Sequence, residues 1–334
     1  LNRKIVVQIP RDKTAAFFDP HTLAEIGNLG TVVWNPFDRA WTTEELKEQL
    51  RDAEAVVTSW GTTPIGDEVL AAAPRLRLIA HMAGSVKPVI GTMKLFEQGV
   101  TILTSNYAIA VSVAESVLAL ILATGHKIVT VDREMRSGHW KNDKTDLEAY
   151  ELRGRTIGLV GLGSVARELM KLLRPFGVEV LAYDPYMAAD TIRALGAEPM
   201  GLHELLGRSD IVSLHAPQIA ETRHMIGSAE LALLKDGGML VNTARGSLID
   251  EQALVRELER KRFYAALDVF EQEPLPADSK LRELDHALIR PHLSGVNPRS
   301  KRRIGLYMVE EMHRFFHGEP LLFEVKKEHL ATMT

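Results

Sequence analysis

The sequence contains no cysteine, which excludes three chemistries at once: a disulfide framework, a thiolate nucleophile and a thiolate metal site. Excess positive charge is missing too. With a formal net charge of −4, the chain offers no basic surface for counterion release from nucleic acid or for an anionic membrane, so neither partner is expected. No apolar run reads as long enough to cross a bilayer; the richest, VAESVLALILATG, is short and carries Glu115. The opening LNRKIVVQIP has a short strand-like run where a secretory leader has a basic segment followed by a long apolar one. A cytoplasmic protein is the expectation. What is present is ordinary: 334 residues, 46% hydrophobic and 25% charged, suffice for two domains with separate cores.

In the first hundred residues short β-branched runs (KIVVQI, TVVW, AVVTS, LRLIAHM, TILTS) alternate with helical patterns (HTLAEIGNL, TTEELKEQL, IGDEVLAAA). Such alternation builds parallel βαβ units with helices on both faces of a sheet. TTEELKEQL also opens with a capping-box pattern, Thr42 or Thr43 followed by Glu45 or Glu48. From about Val111 to Val129 apolar residues nearly encircle a helical axis, which predicts a long helix buried between layers or subunits. REMRSGHWKNDKTD then reads as a loop, and a second alternation runs from RTIGLVGLGSVA through VEVLAY, DIVSLHAP, GGMLVNTARG and YAALDVF to HALIRPHL. The expected fold class is α/β, two doubly wound parallel-sheet domains in series.

TIGLVGLGSVA is a strand running into Gly161, Gly163 and Ala166, the GxGxxA form of the dinucleotide fingerprint. Gly161 permits the tight turn, Gly163 lets backbone approach a pyrophosphate, and Ala166 allows close helix–strand packing. The next strand ends in Asp184, where a carboxylate can accept both ribose hydroxyls of NAD; DPYMA offers no arginine for a 2′-phosphate, so NAD is expected over NADP. The first domain has no such signature and is assigned to substrate.

Three later strands end in Arg245, in Asp268 with Glu273, and in His292. Ligands of open parallel sheets sit beyond the carboxyl ends of strands, so these groups could converge beside a bound nicotinamide. Together they suit reduction of a 2-oxo acid. A guanidinium grips a carboxylate with two parallel hydrogen bonds. An imidazolium protonates the carbonyl oxygen as hydride reaches the carbon. A neighbouring carboxylate favours the charged imidazole and keeps that donor loaded near neutrality.

GLGSVAREL, LHAP…ETRHMIG, VNTARGSLIDEQAL, ALDVFEQEPLP and PHLSG stand in the order and spacing of one family, and over nearly its whole length the chain resembles the D-isomer-specific 2-hydroxyacid dehydrogenases. The resemblance implies that Arg245 binds substrate, Glu273 supports the histidine, and His292 donates and accepts the proton. It implies Ser164 and Val165 at the pyrophosphate, Asp184 at the adenosine ribose, and Thr243, Ala244, Asp268 and Gly295 near the nicotinamide half. It also implies a discontinuous substrate domain, 1–105 with 296–334, around a Rossmann-like cofactor domain, 106–295. The final helix, from about Pro298 to His317, would pack on the first hundred residues, a cleft between the domains would close over the ligand, and the enzyme would be a homodimer. Two alternatives stand beside this reading: an NAD(H)-sensing binding protein, or corepressor, on the same fold, and an enzyme of 3-phosphoglycerate dehydrogenase type.

Some positions depart from the family pattern. Met82, Ala83, Gly84 and Ser85 stand where members hold the substrate carboxylate with backbone N–H groups, but VKPVIG replaces the usual acidic continuation. Thr104 and Asn106 replace a common asparagine and proline. Trp60 stands near a position where the phosphoglycerate branch has an arginine for phosphate, which favours an unphosphorylated or more hydrophobic substrate, and the protein is expected to be without that branch's regulatory extension. Glu273 stands where a formate dehydrogenase would carry glutamine. Trp140 matches a position that in some members reaches the neighbouring subunit's active site. His313 and His317 lie one turn apart without a visible third ligand, so no metal is expected.

Overall fold

Alternation at period two decides how the first sheet is buried. Its strands are β1 (Lys4–Val7), β2 (Thr31–Trp34), β3 (Ala55–Thr58), β4 (Leu78–His81) and β5 (Thr101–Thr104), all parallel in the order β2-β1-β3-β4-β5. Ile5, Val7, Ala55, Val57, Leu78 and Ala80 enter one core, whereas Val6, Val56 and Ile79 enter the core on the opposite face. Successive side chains point to opposite sides of a strand, so both faces must be covered. Helices Arg11–Phe17, Pro20–Leu29 and Pro298–His317 contribute to the first core; Thr43–Leu50 and Asp67–Ala71 contribute to the second. The capping box forms between Thr42 and Glu45.

The second sheet contains β6 (Thr156–Val160), β7 (Glu179–Tyr183), β8 (Glu198–Pro199), β9 (Ile211–Leu214), β10 (Met239–Asn242), β11 (Tyr264–Leu267) and β12 (Ala287–Ile289). They are parallel in the order β12-β11-β10-β9-β6-β7-β8. From β6 the chain builds outward one way to β8, then returns to β9 on the other side of β6. Strand order therefore reverses between β6 and β9, the switch point where doubly wound sheets receive ligands.

The structure, a computed structural model, describes residues 3–140, 149–330 and 333. It separates into two compact units, Leu1–Ile109 with Val296–Thr334, and Ala110–Gly295. The late segment joins the first unit through helix Pro298–His317, which is capped by Asn297 and stopped by Gly318 in the left-handed region. Ile304, Met308, Val309 and Met312 enter the β1/β3/β4 core. Gly305 makes this possible, because a Cβ there would lie 2.0 Å from the Phe17 carbonyl oxygen.

Two expectations need correction. The long helix spans Asn106–Gly125, earlier than Val111–Val129; Lys127 at φ 55° breaks it, and a second helix, Ile128–Arg136, takes in the start of the expected loop. The remainder of that loop, from residue 141, lies outside the described residues. Helix Asn106–Gly125 is also long and apolar enough to cross a membrane by length and composition, which the shorter run VAESVLALILATG does not reveal. Half of its most apolar window is buried within the protein.

Candidate active site

The glycine turn sits at the switch point. Gly161 has φ 94° and its N–H donates to the Tyr183 carbonyl (2.8 Å). A Cβ there would lie 2.9 Å from the backbone of His215 and Ala216 at the exit of β9, so both its conformation and its neighbours require glycine. Gly163 has open space where a Cβ would point, and helix Ser164–Leu173 starts there without a side-chain cap. Its first N–H groups, with Ser164 and Val165 leading, are left for an anion. Ala166 is fully buried against the sheet. Asp184 directly follows β7 beside the turn; its carboxylate accepts the N–H groups of Leu162 (2.9 Å) and Tyr186 (3.0 Å), which holds it in place with lone pairs to spare.

Buried polar atoms without partners collect nearby: Ser213 Oγ, His215 Nε2, Thr243 Oγ1 and Ser247 Oγ, on or just past β9 and β10. Such atoms are destabilising unless something bonds them. Burial also pushes the His215 imidazole down to about 4. An open backbone at Gly163, an uncapped helix start, a fixed Asp184 and these unsatisfied groups fit a dinucleotide.

At the end of β10, Asn242 folds the chain back on itself. Its side chain accepts the Ala244 N–H (3.0 Å) and donates to the Arg245 carbonyl (2.9 Å). Arg245 donates to the Ala244 carbonyl (2.6 Å) and forms no ion pair among the described residues. Burial pushes its pKa down and nearby Glu273 pulls it partly back. Past β11, Glu273 Oε1 accepts the Phe270 N–H (3.1 Å) while Oε2 meets His292 Nδ1 at 2.6 Å. His292 itself is about half exposed. The second unit thus brings together all three groups expected to act jointly.

Several residues that hold these loops escape sequence reading. Gly246 lies so close to the next loop that a Cβ would be 1.9 Å from the Phe270 carbonyl carbon, which locks the Arg245 turn against the segment carrying Glu273. His224 joins the same segments: its N–H donates to the Ser247 carbonyl (2.8 Å), and its imidazole bonds Glu271. For Asn242 a signal existed, since asparagine two residues before a turn commonly bonds the backbone. Asp268 proves fully buried, and Gly295 follows Ser294 directly.

In the first unit, the loop after β4 is held from two sides. Ser59 Oγ donates to the Met82 carbonyl (3.1 Å) and Thr104 Oγ1 to that of Gly84 (2.6 Å), so Thr104 has a defined task. Met82 must be removed from the expected carboxylate-binding set, because its N–H is spent on the Thr58 carbonyl (2.8 Å) and its side chain is buried. Ala83, Gly84 and Ser85 keep their N–H groups. Beneath them, His81 bonds Thr58 Oγ1 (2.8 Å), and burial pushes its imidazole down to about 4, only partly opposed by a backbone bond at Ser85. Trp60 is 44% exposed and stacks on Phe17. His313 pairs with Glu25 (3.3 Å), and no three-residue metal cluster occurs among the described residues. Trp140 is exposed.

The sequence profile described as "D-isomer specific 2-hydroxyacid dehydrogenase, NAD binding domain" matches residues 118–294. Over 275 residues the chain is 34% identical to a glyoxylate reductase of Korarchaeum cryptofilum, covering 81% of this chain and 82% of that one. It is 35% identical over 280 residues to a D-3-phosphoglycerate dehydrogenase of Methanocaldococcus jannaschii, covering 83% of this chain but about half of that longer protein, 52%. Among solved structures, the apo form of D-mandelate dehydrogenase from Rhodotorula graminis superposes with a TM-score of 0.83 at 28% identity, covering 98% of each chain.

Proposed function

Because the chain belongs to the D-isomer specific 2-hydroxyacid dehydrogenase family, we propose that it is an NAD-dependent oxidoreductase interconverting a small D-2-hydroxy acid and its 2-oxo acid. The His292–Glu273 pair at 2.6 Å carries this reading, since it sits past strand ends of the unit that holds the glycine turn. When bound, the dinucleotide supplies or accepts the hydride at the substrate's C2 carbon. Arg245 binds the substrate carboxylate with its free N–H groups. With Nδ1 committed to Glu273, His292 works through Nε2, giving a proton to the carbonyl oxygen in reduction and taking it from the hydroxyl in oxidation. Glu273 holds the ring in place through Nδ1.

In this reading Asp184 accepts the ribose hydroxyls and selects NAD over NADP, and the N–H groups of Ser164 and Val165 meet the pyrophosphate. Thr243, Ala244 and Gly295 serve the nicotinamide half. The first unit serves the substrate, with Ala83, Gly84 and Ser85 offering N–H groups to its carboxylate. The exposed indole of Trp60 favours substrates without a phosphate. Ile128, Val129 and Met135 are exposed beside the half-buried long helix, which supports a homodimer formed through the second unit; a monomeric mass in light scattering would refute that part.

The test follows NADH absorbance with glyoxylate, hydroxypyruvate, pyruvate and bulkier 2-oxo acids. Turnover of at least one is expected, with most of it lost in His292→Gln at near-normal NADH affinity. No turnover of any, by protein that demonstrably binds NADH, refutes the reading.

A further inference from the structure

From the end of β4 onward, four consecutive carbonyls are held. Those of His81 and Met82 accept the hydroxyls of Ser105 and Ser59 (3.1 Å each), that of Ala83 accepts the Ser105 N–H (3.1 Å), and that of Gly84 accepts the Thr104 hydroxyl (2.6 Å). A peptide unit is planar and trans, so the C=O of one residue and the N–H of the next point in opposite directions. Holding a carbonyl therefore aims the N–H that follows it. Ser59 aims the Ala83 N–H, the Ser105 backbone aims that of Gly84, and Thr104 aims that of Ser85. A carbonyl that accepts a bond also polarises its own peptide, which strengthens that N–H as a donor. Both side-chain hydroxyls are built into the fold: Ser59 and Thr104 are 3% and 8% exposed. Thr104 Oγ1 accepts the Asn106 N–H (3.3 Å), which directs its own proton to Gly84. The Thr104 main-chain N–H donates to the Phe323 carbonyl (3.1 Å), and the Phe323 N–H donates to Glu311 (3.0 Å), a fully buried carboxylate on helix Pro298–His317. Ser59 is fixed by Thr62, whose hydroxyl donates to the Ser59 carbonyl (2.8 Å) and accepts the Ser59 N–H (3.3 Å).

We propose that Ser59 and Thr104 are positioning residues for substrate binding: their hydroxyls orient the Ala83 and Ser85 N–H groups so that both meet the substrate carboxylate. Each acts through the peptide it grips rather than on the substrate itself. The inference rests on the carboxylate-binding role given to Ala83, Gly84 and Ser85 above. Thr104→Val and Ser59→Ala each remove one hydroxyl with little change in volume, so one carbonyl loses its donor and its peptide is released to turn.

At saturating NADH, KM for the 2-oxo acid is expected to rise at least about threefold in each variant, the worth of one hydrogen bond. Because that contact is made alike in the ground and transition states, kcat is expected to stay within about threefold of wild type. The NADH Kd from fluorescence titration should stay within about threefold as well. Thr104→Ser keeps the hydroxyl and should restore the wild-type KM, which a purely packing role for the threonine would not predict. A smaller rise of KM in either variant, a loss that falls on kcat instead, an NADH Kd raised as much as KM, or no rescue by Thr104→Ser overturns the proposal. Should Thr104→Val fail to fold, Ser59→Ala decides by the same criteria. Wild type separates the two claims. If it binds NADH but turns over no 2-oxo acid, the proposed function fails and this inference with it; if it turns over and the variants keep its KM, only the present inference fails.

Discussion

Lowering the pH from 7 to 5 should remove stability from both units, through one imidazole in each. Burial pushes His81 and His215 down to about 4, whereas in an unfolded chain each titrates at about 6.5. Between those values the unfolded state binds a proton that the native state refuses, so stability rises with pH across the window and is lost as pH falls through it. Integration gives about 2 kcal/mol per histidine between pH 7 and 5, hence about 4 for the pair. Below pH 4 each is worth about 3 kcal/mol, against a total of about 5–15 kcal/mol for a typical domain. Glu251 works in the opposite direction, because burial pushes its carboxyl up. Urea titrations followed by circular dichroism at pH 7, 6 and 5 measure the slope, and a His81→Gln/His215→Gln variant should lose most of it. If that variant kept the wild-type dependence on pH, the two buried rings would not be its source.

Arg245→Lys keeps the charge but cannot present two parallel donors, so kcat/KM for the 2-oxo acid should fall about 10–100-fold, the worth of one charge-assisted hydrogen bond; steady-state kinetics with NADH saturating would show it, and an unchanged value refutes the grip. Gly246→Ala should destabilise the second unit by at least about 2 kcal/mol, because its methyl would overlap the Phe270 carbonyl; a wild-type urea midpoint contradicts this. Asp184→Ala removes the acceptor for Leu162 and Tyr186 and should narrow the preference for NAD over NADP, read as the ratio of kcat/KM with the two reduced coenzymes.

The parts legible in sequence are those whose requirement is local. Gly161 and Gly163 announce a turn that only glycine makes, and the strand ends at Arg245 and His292 follow from short apolar runs. Strand β8, two residues long, carries too little pattern to be read. The break at Lys127 is equally silent, since nothing marks a lysine as left-handed. Met82 shows the deeper limit: the loop is recognisable, but which N–H groups remain free depends on Thr58, 24 positions earlier. Asp268 was visible as an acid past a strand, whereas its bonds to Leu293 and Ser294 cross 25 and 26 positions. Partners that distant leave no periodicity to read.

Splitting one core between the two ends of a chain also orders its birth on the ribosome. Residues 110–295 form a compact unit from one continuous stretch of chain, and such units can collapse while synthesis continues. The strands made first must wait, since Ile304, Met308, Val309 and Met312 complete their core and their helix packs on β4 and β5. Until that helix emerges, part of the apolar side of the earliest sheet is uncovered in a nascent chain, the kind of surface that invites aggregation.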